Sequence, residues 1–154
     1  REIWHAAVKD YLQRSGLVEK FFDVAAGGGA GLLEDFAGGE EGFFYFLQRN
    51  PGLVRMLDWL NLEGGAGMGL PDPEQRKAIL DRMRELVKKG VFRANVDPVV
   101  LPILYMSICT GWFSSRRRYA DWFGPGVTCE EMDDRFIGAA MDIIMRGALP
   151  DEKR

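Results

Sequence analysis

Apolar residues recur along this chain at spacings of three and four, and strict alternation is nearly absent, so the pattern predicts helices and almost no strand. Residues 2–24 read as one long helix, weakened at Ser15-Gly16, and "AAGGGAG" then breaks it. Helix resumes over 32–37, and "GGEEGFFYFLQRN" carries it to about residue 49, with Gly38-Gly39 as a kink or second break. Asn50-Pro51 reads as an N-cap followed by proline at the first helical position, opening a helix to about Leu62. After the loop "EGGAGMGLP", the acidic N-cap Asp72 with Gln75 three residues on forms a capping box for a helix to Lys89, which Gly90 stops. Asp97-Pro98 opens a helix carried to about Phe123 and ended by "GPG". The capping box Thr128-Cys129-Glu130-Glu131 starts the last helix, which runs to about Gly147 before Pro150. The expected fold is all-α, a single domain of about six helices.

The helix after Asp97 is apolar nearly all the way round, and such a helix needs partners on every side. On a helical wheel Tyr105, Cys109 and Trp112 fall together, large and mostly apolar. Roughly opposite lie Ser107, Gly111, Ser114 and Arg118, mostly small residues that let another helix approach closely. The last helix has the same duality. Phe136, Ala139, Ala140, Ile143 and Gly147 form one stripe, and Ile137, Met141, Ile144 and Ala148 form another. Two helices with two apolar faces each predict a four-helix bundle across a two-fold axis, so the expected partner is a second copy of the chain.

Composition narrows the class. The chain has 154 residues, 47% of them hydrophobic and 28% charged, which is globular rather than disordered. A net charge of −3 argues against this chain alone tracking a phosphate backbone. Cys109 and Cys129 match neither a zinc spacing nor a disulfide framework, which points to a reducing cytoplasm. The apolar run from Val96 to Phe113 is interrupted by Asp97, Pro98 and Pro102 and falls short of a membrane span. The first helix, starting at Glu2 after Arg1, shows no cap, so it reads as the continuation of an upstream segment.

Candidate chemistry is sparse. Neither glycine stretch contains a phosphate-loop pattern or follows a strand, so both read as loops, the second a possible lid. His5 is the only histidine and has no ligand spacing around it. The acidic run Glu130-Glu131-Asp133-Asp134 suits the positive end of a helix dipole, and Arg116-Arg117-Arg118 the opposite end of one. No cofactor, metal or catalytic group is expected. The aromatic and methionine content is less neutral. Phe43, Leu47, Met56, Trp59, Leu60, Met83, Val87, Tyr105, Cys109 and Trp112 sit at helical spacing on four segments. They would fill a core, or line a pocket for an apolar or aromatic small molecule with Tyr105 and Gln48 as polar handles.

The runs "NPGLVRMLDWLNLEGG", "LVKKGVFRANVDPVVL" and "DDRFIGAAMDIIMRGALP" resemble the C-terminal regulatory domain of tetracycline-repressor-type (TetR-family) transcriptional regulators, with "KKGVFRANVDP" the most specific element. The resemblance spans about Glu2 to Pro150. It implies a homodimeric bacterial regulator in which a small molecule enters the helical domain and alters operator binding. Operator DNA would be contacted by an N-terminal helix-turn-helix domain, which this chain lacks. It also implies that the ten residues above line the effector pocket. On this reading Ser107, Gly111, Ser114, Arg118, Phe136, Ala139, Ala140, Ile143 and Gly147 form the dimer interface. The alternative is a helical dimerisation module with a filled core and no ligand.

Overall fold

The computed structural model describes residues 42–62 and 73–150. The expected helices at 2–24 and 32–37, both glycine stretches, His5 and Asp72 lie outside the described residues. Within them the fold is all-helical, with no strand. The α-helices are α1 (Phe43–Arg49), α2 (Pro51–Leu62), α3 (Pro73–Lys88), α4 (Val100–Ser115) and α5 (Cys129–Ala148), with a 3-10 segment over Arg116–Phe123 between the last two.

The caps explain most of these boundaries. At the end of α3, Gly90 adopts φ 67°, its N–H donates to the Val87 carbonyl at 3.0 Å, and the Val91 N–H donates to the Leu86 carbonyl at 3.0 Å. This pair of bonds is a Schellman stop, and glycine fits it because an added Cβ resists that φ. Asp97 starts α4, its Oδ1 accepting from the Val99 N–H at 2.7 Å and the Val100 N–H at 3.2 Å. At the start of α5, the Glu131 N–H donates to Thr128 Oγ1 at 3.2 Å and the Thr128 N–H donates to Glu131 Oε2 at 2.8 Å, closing the capping box.

Two expectations need correction. Asn50 does not cap α2 with its side chain. Its Nδ2 donates back to the Phe46 carbonyl at 2.8 Å and serves the end of α1, while its own carbonyl accepts from Leu53 N–H at 3.0 Å. Nor does the apolar α-helix reach Phe123: it ends at Ser115. Thr110 Oγ1 donates to the Met106 carbonyl at 2.8 Å, Ser114 Oγ donates to the Thr110 carbonyl at 2.9 Å, and Ser115 Oγ donates to the Gly111 carbonyl. Hydroxyls bonded to carbonyls one turn back weaken and bend a helix, and here three crowd its last turns.

The core lies where all five α-helices contribute buried side chains: Phe44 and Leu47, Leu53 and Val54, Met83 and Leu86, Tyr105, Cys109 and Trp112, and Met132, Ile137, Met141 and Ile144. α4 packs against both α1 and α2. The α3–α4 connection is pinned by buried Phe92 and by Arg93. The Arg93 N–H donates to the Ala148 carbonyl at 2.8 Å and its Nε donates to the Leu149 carbonyl at 2.7 Å. These bonds occupy carbonyls that the end of α5 leaves without a helical partner.

Candidate functional site

Asp133, on the second turn of α5, is 0% exposed. Trp112 Nε1 of α4 donates to its Oδ1 at 2.7 Å, and Gln48 Nε2 of α1 donates to its Oδ2 at 2.9 Å. Arg116, the first residue of the 3-10 segment, forms a salt bridge to the same Oδ2. One carboxylate thus ties together α1, α4, the 3-10 segment and α5. A buried charge is tolerable only with such partners. Beside it Tyr45 Oη donates to Asp134 Oδ1 at 3.1 Å, at the surface.

Around this hub lies a layer of rings. Trp112 stacks on Phe136 with centroids 4.0 Å apart and planes 7° from parallel. Phe44 packs against Phe113 at 4.7 Å and Phe136 at 6.4 Å, and Phe123 meets Trp112 edge-on at 6.0 Å. The Arg116 guanidinium lies 4.9 Å from the centre of the Phe113 ring, so the same cation serves the carboxylate and an aromatic face.

On the far side of Phe136 the molecule opens. A groove of about 650 Å³ runs between the first half of α4 and the second half of α5. Its walls are Val96, Asp97, Val100, Leu101, Leu104 and Ile108 on one side, and Phe136, Ala139, Ala140, Ile143, Ile144, Gly147 and Ala148 on the other. Among the described residues Asp97 is the one charged residue lining it. Ile143 is 72% exposed, and Val100, Ile103 and Leu104 are exposed beside it. Exposed apolar surface of this extent is uncommon on a monomer left in water.

Of the residues proposed for dimerisation from sequence, Phe136, Ala139, Ala140, Ile143 and Gly147 line the groove; in the other α5 stripe Ile137, Met141, Ile144 and Ala148 are buried, and Ile144 and Ala148 also reach the groove wall. Ser107, Gly111 and Arg118 are exposed. Ser114 is exposed too, but its one hydroxyl proton is shared between the Thr110 carbonyl and Asp58 Oδ1 of α2, both intrachain partners.

The residues proposed for the effector pocket meet a different environment. Leu47, Met83, Tyr105, Cys109 and Trp112 are buried in the common core, and Phe43, Met56 and Val87 are partly buried against it. Trp59 is 38% exposed, and the Leu60 side chain lies outside the described residues. None of the other nine lines the groove. Gln48, expected as a polar handle for a ligand, spends its amide on Asp133. Burial pushes the Cys109 thiol up to about 12, so it is un-ionised at neutral pH and a poor nucleophile.

Asp133 departs from the helix-dipole account, which fits exposed Glu130, Glu131 and Asp134. The available signal was spacing: Asp133 precedes the buried residues Ile137, Met141 and Ile144 at steps of four, four and three, placing it on the buried stripe. The arginine run divides likewise, with Arg116 turned inward and Arg117 and Arg118 exposed. Among the described residues no cluster of three or more His, Cys, Asp or Glu is placed to hold a metal ion, and no helix is long and apolar enough to cross a membrane.

Residues 39–144 match the family described as "Tetracyclin repressor-like, C-terminal domain". Comparisons with curated proteins and with solved structures returned no match.

Proposed function

Because the chain belongs to the tetracycline repressor-like C-terminal domain family, we propose that it is the dimerisation and effector-sensing part of a transcriptional regulator. The observation that carries the dimer is the apolar groove between α4 and α5, with Ile143 standing 72% exposed at its wall. Two such faces brought together by a two-fold axis make a four-helix bundle and remove that surface from water. Substituting Ala140→Asp places a carboxylate at the centre of this contact, where it would be desolvated without a partner. Analytical ultracentrifugation should find a wild-type dimer at micromolar concentration and an Ala140→Asp monomer that keeps its helical circular dichroism. A wild-type monomer sinks the proposal.

Effector sensing is the second half of the reading. The Trp112 end of the ten-residue set is stacked on Phe136 and bonded to Asp133, which leaves little room there without rearrangement. Phe43, Met56 and Val87 are half-buried and Trp59 is 38% exposed, so an apolar ligand would enter through them rather than at Trp112. The ligand would be apolar, to match that lining. It would change tryptophan fluorescence through Trp59 and raise the melting temperature with the logarithm of its concentration. The filled ring layer around Trp112 also favours the rival reading of a ligand-free dimerisation module. A screen of flat apolar compounds that moves neither fluorescence nor melting temperature would decide for that rival.

A further inference from the structure

The groove between α4 and α5 is a hollow that the chain does not fill itself. The two helices are not closely packed on one another, and both are in contact with the 3-10 segment. On α5 the lining side chains are mostly small, Ala139, Ala140 and Gly147 among them, and a Cβ added at Gly147 would meet nothing within 4 Å. The hollow is elongated: at ~1.5 Å per residue, its α5 wall from Phe136 to Ala148 spans roughly 18 Å. Its volume of about 650 Å³ lies within the ~300–1,000 Å³ usual for small-molecule sites. The two ends differ in chemistry. Ile108 and Phe136 make one end apolar, whereas Asp97, Gly147 and Ala148 line the other. The Asp97 Oδ1 takes both of that side chain's hydrogen bonds, from the Val99 and Val100 N–H groups, and among the described residues Oδ2 accepts none. Arg93 is bonded to the Ala148 and Leu149 carbonyls and Arg146 to Asp142, and neither lines the groove. The charge of Asp97 is therefore unanswered within the groove.

We infer that this groove is a second ligand site, taking an elongated apolar molecule with one cationic end, a long-chain alkylamine in chemical class. The ammonium sits at Asp97 and the tail runs toward Phe136. A neutral head group would take the carboxylate out of water without answering its charge, and an anionic one would repel it. A cationic head instead gives the open Oδ2 a charge-assisted hydrogen bond. The site is separate from the entry at Phe43, Met56 and Val87, none of which lines the groove. Its consequence for assembly rests on the dimer reading above. A tail lying in the groove covers surface that a second copy would cover, so ligand and partner compete, and each weakens the other's binding by the same factor.

The test titrates the whole chain with n-decylamine, protonated at pH 7 and kept below its micelle concentration, and compares n-decanol and decanoate. Calorimetry reads binding and ultracentrifugation reads the dimer fraction. Decylammonium should bind one per chain and about tenfold tighter than decanol, the worth of one hydrogen bond to a charged group. Decanoate should bind more weakly still, and the dimer fraction should fall as the amine fills the site. Asp97→Asn keeps a side-chain oxygen that can cap α4, so its circular dichroism should match wild type. Its affinity for decylammonium should drop to that of decanol. Equal binding of amine and alcohol, or an Asp97→Asn protein that binds the amine as well as wild type does, would overturn the assignment and leave the dimer reading standing. Binding that depends on Asp97 but leaves the dimer intact would overturn the competition. A chain that is monomeric without ligand would overturn the dimer reading, and the Asp97 comparison would still decide the site.

Discussion

Replacing Asp133 by alanine removes the one group that Gln48, Trp112 and Arg116 all address. The indole N–H loses its acceptor inside a ring layer, and the Gln48 amide loses its acceptor in a half-buried setting. Each orphaned donor costs about 1–3 kcal/mol. Arg116 loses its counter-charge, but its side chain stays partly exposed and can turn toward water. Breaking a buried ion pair from one side typically costs about 3–5 kcal/mol. The three losses share one site and do not add, so the expected destabilisation is about 3–5 kcal/mol in total. For a chain of this size each kcal/mol lowers the melting temperature by about 2–4 °C. Asp133→Asn should be milder, since its carbonyl can still accept from Trp112 while the ion pair is lost. Urea unfolding of all three proteins at one concentration measures this, because dimerisation would make stability depend on concentration. If Asp133→Ala lies within about 0.5 kcal/mol of wild type, a range ordinary surface substitutions occupy, the carboxylate is not the organising group described here.

Two further outcomes follow from the same geometry. Iodoacetamide at neutral pH should label exposed Cys129 in the native protein and reach Cys109 only after unfolding, because burial holds that thiol up to about 12; rapid native labelling of Cys109, read by mass spectrometry, would contradict its place in the core. Thr128→Ala should cost about 1 kcal/mol at neutral pH. Hydrogen bonds from the Thr128 backbone and hydroxyl lower the Glu131 pKa, so that carboxylate contributes stability above its unfolded pKa and loses it as pH falls through the folded one. The gap between wild type and Thr128→Ala should therefore narrow as pH drops below the carboxylate range, and urea midpoints across pH 3–7 would show whether it does.

The helices were legible because their ends are written in local chemistry. Gly90, Asp97 and the Thr128–Glu131 pair act through bonds between residues a few positions apart, and such signals survive in the sequence alone. The two stripes of α5 were legible for a similar reason: period alone separates Ile137, Met141 and Ile144 from Ala139, Ala140 and Ile143, and the structure buries the first set and exposes most of the second. The end of α4 was not legible. The Thr110, Ser114 and Ser115 hydroxyls weaken its last turns without dictating where it stops, nothing in "RRRYADWF" forbids an α-helix, and the change to 3-10 also accompanies an arginine that turns toward a carboxylate 17 positions later. Asn50 misled because the same side chain can cap the helix after it or the helix before it. The hub was hidden because its partners come from positions 48, 112, 116 and 133, and pairwise spacing within one helix carries no record of them.

Phe136 decides how the two halves of this domain can communicate. One face of its ring stacks on Trp112, which is bonded to Asp133 and through it to α1 and the 3-10 segment. The same side chain lines the groove between α4 and α5. Rings 4.0 Å apart and nearly parallel are in contact, so Trp112 cannot shift toward Phe136 without moving it. A displacement on the Trp112 side would therefore change the shape of the groove wall, and a partner seated in the groove would resist it. In free-energy terms, whatever binds better to one position of Phe136 shifts the population of the other, and the effect runs equally in both directions. Effector binding and dimer geometry would then be linked through one residue in contact with both sides. The Asp133 hub sets how stiff that link is, since it holds Trp112 from behind.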